Sequence, residues 1–495
     1  MDRRRFCSLG VGAMASGRFL AQASQPPTQQ RLLFTQERDG TQAPAGKPPH
    51  IFLISLDMVS PDMYRPDRAL SQHIRIPAIR SLMNDGCFFS NAFCTVPLCS
   101  PSRASYLTGR YSYILGNGEH APDGLATELR DDDIIFPEYL RAAGYVTRHV
   151  GKCHVGAKKF FDAFGQNDQP WDRWSPPVFD DDDFLNYQRG LGVKPQKYAR
   201  EIVFKQQDRR TPGNSVGGWI VQEDGRPFPL EAQYSYYLGQ KARDAIDDLV
   251  DKGSAERHPV YLQLDIFDPH QPFSIPAGFE EREKELRAIM TLPRSYEEAK
   301  RRDWQCAGGE PEIIDVYRRY WGIYDDAQLI DYRVAYALQM EIADKVVGRF
   351  LSKLKERGLY DNALIALISD HGEMNGRRAL VDKGVYLFPD VLRVPIVIKP
   401  PRGGAAIKSV VDTQISLLDL SQTLLETAGI HAEANFDGRS LWPQMLGQER
   451  QQERTLLFFG GWHVGVNFAC GIEHLFPDGR HFLYAYNCTS TVDEL

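Results

Sequence analysis

His50-Ile-Phe-Leu-Ile-Ser-Leu-Asp57 is a short continuous apolar run that ends in an acid, the pattern of a strand buried on both faces with a carboxylate at its carboxyl end. Working outward, the pattern recurs. Ala363-Leu-Ile-Ala-Leu-Ile-Ser369 leads into Asp370-His371, Pro259 to Asp268 into a turn with His270, and Gly144 to Lys152 into His154. Val394 to Lys399 reads as a further strand. Helical stretches lie between. Pro77 to Asp85 has proline at its start and Gly86 just past its end, the usual asymmetry of helix termini. Val334 to Arg357 carries Leu338, Ile342, Val346, Phe350 and Leu354 on one side before Gly358, as an amphipathic helix does. A last helix runs from about Ser416 to Ala428, closed by Gly429.

Strands alternating with helices predict an α/β fold, a mostly parallel central sheet with helices on both faces. Ligands of such sheets bind at the carboxyl ends of strands. Asp57, Lys152, His154, His270, Asp370 and His371 all fall there, and the coincidence says more than any one of them. Gly165 to about Gln233 is rich in Trp, Pro, Asp and Gln and contains the acidic run Asp180 to Asp183; it reads as an irregular insertion. Thr455 to Gly461 and His481 to Asn487 alternate enough to predict a small C-terminal antiparallel sheet as a second subdomain.

A chain of 495 residues has room for one large or two medium domains. Its 58 basic and 65 acidic residues are mixed along the chain, for a net charge of −7. That excludes the basic footprint of a nucleic-acid binder, and an anionic substrate must be caught by local positive charge. Asp2-Arg-Arg-Arg-Phe-Cys7, a weakly apolar run and Ala21-Gln-Ala23 have the layout of an export signal of the twin-arginine type, too short to anchor in a membrane. The expected organisation is a signal over 1–23, a polar linker over 24–48, a catalytic domain over 49–432 and a C-terminal subdomain over 433–495. The expected partners include the export machinery, and the expected location is the bacterial periplasm or the medium. The eight cysteines show no paired CxxC spacing, which argues against a structural zinc site. Cys470 and Cys488 are one candidate disulfide pair, with connectivity left open.

Cys99-Ser-Pro-Ser-Arg103-Ala-Ser-Tyr-Leu-Thr-Gly-Arg110 is the most specific stretch. Pro101 suits a first helical turn and Gly109 the end of a short helix. Cys99 then sits at a helix N-terminus, where backbone N–H groups and the helix dipole stabilise an anion. Arg103 lies one turn on, on the same face. Read alone, the stretch is equally a buried structural cysteine beside a surface arginine.

The stretch resembles the CxPSR…LTGR signature of the type I sulfatases, formylglycine-dependent members of the alkaline phosphatase-like superfamily. Other elements match that family in order. Gly151-Lys-Cys-His-Val-Gly156 is similar to its GKWHLG segment, and Pro269-His-Gln-Pro-Phe273 to its HxPF turn. Ser369-Asp-His-Gly-Glu373 is similar to its SDHGE, Lys383 with Arg393-Val-Pro395 to its lysine and RVP elements, and Phe436 to Leu441 to its DGxSL turn. The resemblance implies that a maturation enzyme oxidises Cys99 to formylglycine before folding. One hydroxyl of the hydrated aldehyde then attacks sulfur, releasing the alcohol, and the other expels sulfate. It implies that Lys152, His270 and Lys383 bind the sulfate and that His270 protonates the leaving oxygen. His154 orients or deprotonates the second hydroxyl, and Arg103 supports the formylglycine. A divalent cation, calcium or magnesium, is implied at Asp57, Cys99, Asp370 and His371.

Met58 departs from the family, which commonly has a second acid there, and a thioether is a poor ligand for a hard cation. Asp62 is near in sequence, but no spacing argument places it in the site. The chain ends at Thr491-Val-Asp-Glu-Leu495, short of a further element usual in the family, so a missing final strand or tail is expected. The implied substrate is a sulfated carbohydrate or aryl sulfate. Two alternatives stay open: a phosphonate or phosphate ester hydrolase of the same superfamily, and a non-catalytic glycan- or anion-binding homologue.

Overall fold

The computed structural model describes residues 34–36, 48–112, 129–403, 406–432, 435–448, 454–461, 469–476 and 480–487. The expected export signal, most of the 24–48 linker and Cys488 lie outside them. The central sheet is built from eight strands: β1 His50–Asp57, β2 Cys87–Phe89, β3 Val146–Lys152, β4 Gln166–Trp171, β5 Val260–Pro269, β6 Ala363–Ser369, β7 Ile396–Lys399 and β8 Val410–Val411, in the spatial order β8-β2-β7-β6-β1-β5-β3-β4. β6, β1, β5, β3 and β4 are parallel neighbours; β7 pairs antiparallel with both β6 and β2. The sheet is therefore mostly parallel, as expected.

The two-residue period of a strand distributes its side chains between two cores. Phe52, Ile54 and Leu56 of β1, with Ala363, Ile365 and Leu367 of β6, join one apolar cluster. Ile51, Leu53, Leu364, Ala366 and Ile368 join the other. The first is covered by α1 Pro77–Asp85, α3 Tyr234–Asp251 and α4 Asp326–Glu356, the second by α2 Cys99–Thr108 and α5 Asp419–Thr427. Helices thus cover both faces, which is why the central strands read as unbroken apolar runs.

Three expectations change. Helix α4 begins at Asp326, with Asp325 accepting from the Ala327 and Gln328 amides as its cap, eight residues before the expected start at Val334. It is buried on every side from Tyr332 to Asp344 and partly exposed before and beyond, because its middle runs through the interior. The 165–233 segment is not irregular. It supplies edge strand β4, a helix Asp182–Gly190 capped by Asp181, and an antiparallel pair Gln196–Lys205 and Pro212–Gln222, the latter in turn pairing with Phe273–Ile275. Within the linker, Phe34–Gln36 pairs antiparallel with Ile430–Ala432. The C-terminal sheet is present as Arg454–Phe459, Ala469–Leu475 and His481–Asn487, all antiparallel. No helix among the described residues is long and apolar enough to cross a membrane.

β3 meets β5 closely at Gly151, whose φ is +114° and where a Cβ would lie 2.0 Å from the Asp265 carbonyl oxygen. Gly151→Ala is expected to lose about 3 kcal/mol or more of stability in urea unfolding. Gly144→Ala has a similarly positive φ but nothing within 4 Å, and is expected to lose only about 1 kcal/mol. Equal losses would refute the steric account.

Candidate active site

The polar residues predicted from strand ends converge at the carboxyl edge of four adjacent strands. Asp57 ends β1, Lys152 ends β3, Asp370 follows β6, and His270 follows β5. All four side chains are buried. Helix α2 is laid against this edge with Cys99 as its first residue, Leu98 as its extended cap and Gly109 ending it in the left-handed region at φ 66°.

Arg103, one turn into α2, is fully buried and reaches all four strands. Its Nε donates to Asp370 Oδ2 at 2.9 Å, and its Nη1 donates to the Lys152 carbonyl at 3.1 Å and to Asp265 Oδ1 at 3.2 Å. Its Nη2 lies 3.6 Å from Asp57 Oδ2. The planar fork satisfies three acceptors through Nε and Nη1, while Nη2 makes only the longer ion pair with Asp57. Asp265 is itself held by His149 at 3.0 Å and Gln263 at 2.8 Å.

Cys99 Sγ lies 3.3 Å from His371 Nε2 and 3.7 Å from Asp57 Oδ1. His371 Nδ1 faces its neighbour's carbonyl at 2.9 Å, which directs Nε2 to the sulfur. Lys152 Nζ donates to Asp57 Oδ2 at 2.6 Å, and Lys383 Nζ lies 2.6 Å from His270 Nε2. The loop bearing Lys383 is drawn in by buried Glu373, which accepts from Tyr332 Oη at 3.0 Å and from the Asp382 amide at 2.6 Å. His154 sits just past β3, nearly buried, in the left-handed conformation at φ 57°.

Positive charge dominates the balance around Cys99. Burial and Asp57 push its thiol up, but Lys152, Lys383 and His371 outweigh them and bring it down to about 6. Burial would raise Asp57, yet Lys152, His270, Arg103 and His371 hold it well below the usual carboxylate range. Burial disfavours the His371 cation, but Asp370 and Cys99 raise it to about 9. Burial and Lys383 depress His270.

Asp57, Cys99, Asp370 and His371 offer ligand atoms within 4.8 Å of one another, all buried. Two carboxylates and an imidazole beside a residue that can carry an oxygen nucleophile fit a hard divalent cation. Asp62 is not part of this cluster. It is committed elsewhere, to Arg377 at 2.5 Å and Asn375 at 3.1 Å. Met58 contributes backbone. In the left-handed region at φ 63°, its amide donates to Asp370 Oδ1 at 3.1 Å and its carbonyl accepts from Tyr336 Oη at 2.6 Å. Its thioether is buried in the apolar core.

Asp265 and Phe267, which stacks on His270 with centroids 4.9 Å apart, escape a reading of the sequence, and Glu373 is legible only as part of the SDHGE match. Of the first two, Asp265 left a signal: with Tyr261 and Gln263 it makes a polar alternation inside an apolar strand.

A model of the family described as Sulfatase matches residues 49–430. The chain is 26% identical to an arylsulfatase of Clostridium perfringens over 79% of this chain and 77% of that one. It is 25% identical to a sulfatase of Escherichia coli over 73% of this chain, but spans only 65% of that relative's length. A phosphonate monoester hydrolase from Silicibacter pomeroyi shares the fold with a TM-score of 0.65, at 20% identity and 90% coverage of each chain. With a family model matched across most of its length and the signature residues gathered at one sheet edge, the chain belongs to the sulfatase family.

Proposed function

We propose that the protein hydrolyses sulfate esters at Cys99, after its conversion to formylglycine. The observation that carries this reading is the buried convergence of Cys99 with Asp57, Asp370 and His371 under Lys152, Lys383 and His270. Hydrated formylglycine supplies two hydroxyls, one to attack sulfur with a sulfo-enzyme intermediate and one to expel sulfate. Asp57, Asp370, His371 and residue 99 would hold a calcium ion, which would supply positive charge to the nucleophile and the sulfate oxygens.

The chain's own residues do the rest. Lys152 and Lys383 bind sulfate oxygens, and the excess of cations around Cys99 compensates for the acidic surface. His270 gives a proton to the leaving oxygen. His154 takes the proton of the second hydroxyl. Arg103 orients residue 99 by holding the strand ends beneath it. The catalytic domain spans 49–432, the C-terminal subdomain 433–495, and a maturation enzyme and the export machinery act on the chain before it reaches the periplasm or the medium.

The superfamily likeness to a phosphonate monoester hydrolase supports a second reading, phosphorus ester hydrolysis at the same site. Protein made with a maturation enzyme and assayed on nitrophenyl sulfate and nitrophenyl phosphonate separates the two. Sulfate is expected to turn over faster, and mass spectrometry of the Cys99 peptide to show the aldehyde. A peptide found only as thiol, or faster phosphonate turnover, overturns the first reading. Chelation followed by dialysis is expected to lower kcat/KM at least roughly a hundredfold, with calcium restoring it; unchanged activity contradicts the metal assignment. Arg103→Lys is expected to cost about 3–5 kcal/mol of stability, because buried carboxylates lose their shared partner, and to lower kcat more than it raises KM.

A further inference from the structure

A cavity of about 490 Å³ opens beside His270, within the size range of small-ligand sites. Two of its walls also touch the catalytic histidine: Phe267 stacks on the imidazole at 4.9 Å, and the Trp174 ring lies 6.3 Å from it. The cavity therefore starts where the leaving oxygen of a bound ester would point. Its outer part comes from the 165–233 insertion, with Trp174 and Phe179 exposed by 53% and 67%. Large aromatic faces left open to water at a cavity mouth are unusual unless something stacks on them.

The polar lining is mainly neutral. Gln196 and Ser274 bring an amide and a hydroxyl to the space, while Gln233 is committed to Asp268 and to the Ser235 and Tyr236 amides, and Gln339 accepts from the Ser274 amide. The one basic residue lining it, Arg173, is held by both oxygens of Asp180, at 2.6 and 3.0 Å. Asp268 is buried and accepts from the Gln233 amide at 3.1 Å, so it serves the wall rather than a ligand cation; burial also pushes its carboxyl up to about 6. A second sulfate entering here would find no uncommitted cation among the lining residues and two acids nearby.

Resting on the sulfatase reading above, we infer that this cavity is the leaving-group subsite and that it takes a neutral hydroxylated ring, so that the substrate is a sugar carrying a single sulfate. The apolar face of the ring stacks on Trp174 and Phe179, and its hydroxyls meet the Gln196 amide. Multiply sulfated sugars and quaternary-ammonium alkyl sulfates are poorer substrates.

The test uses the full chain after Cys99 conversion. Steady-state kinetics are measured on a monosulfated galactose, a disulfated galactose, choline sulfate and nitrophenyl sulfate, with saturation-transfer NMR of unsulfated galactose as an activity-independent readout. The monosulfated sugar is expected to have the highest kcat/KM. Trp174→Ala is expected to raise its KM roughly tenfold, the size of one lost aromatic contact, with a smaller change in kcat, and to weaken the NMR signal; Trp174→Phe restores both. Tyr320→Ala, an exposed aromatic outside the cavity, changes neither. Preference for the disulfated sugar or choline sulfate, or a Trp174→Ala enzyme equal to the parent in KM and NMR, overturns the inference. Galactose binding that depends on Trp174 in a protein hydrolysing no sulfate ester would instead overturn the sulfatase reading and leave a sugar site.

Discussion

One guanidinium organises this site. Arg103 enters from helix α2 and meets Asp57, Asp265, Asp370 and the Lys152 carbonyl, one group from each of four neighbouring strands. A charge so deeply buried is tolerated only where opposite charges surround it, here the carboxylates of Asp57, Asp265 and Asp370. The match is also geometric: the fork sets the spacing of the strand ends and the height of Cys99 above them. Asp265 then needs His149 and Gln263, so the requirement for partners spreads inward along β3 and β5.

Around that frame the site is arranged as an excess of positive charge in a dry pocket. Against the cost of burial, Lys152, Arg103 and His371 hold the Asp57 carboxylate charged, and Asp370 and Cys99 favour the His371 cation. The net field lowers the Cys99 thiol, and the same field suits an anion arriving from a surface that is acidic overall. On the proposed reading, substrate capture is a local matter of side chains at strand ends.

The main central strands and the polar residues at their ends were legible in the chain. Continuous apolar runs of the β1 type occur where both faces are covered, and β1 and β6 occupy the runs read for them. The insertion was not legible. The Trp-, Pro- and Asp-rich composition of 165–233 marks turns locally, while its strands exist only because neighbouring edges pair with them. The one-sided reading of α4 failed likewise, since periodicity records the part of that helix that faces water and is silent on the part that does not.

Sequence by itself determined which polar residues stand at the strand ends and at the start of α2, because residue type and spacing there are local properties that pairing does not alter. Only the tertiary structure decided how they are held. Asp265 and Glu373 as buried supports, Asp62 tied to Arg377 instead of the metal cluster, and Met58 serving through its backbone all depend on contacts between residues far apart in the chain. Such contacts are set by packing, and packing leaves little trace in the order of residues.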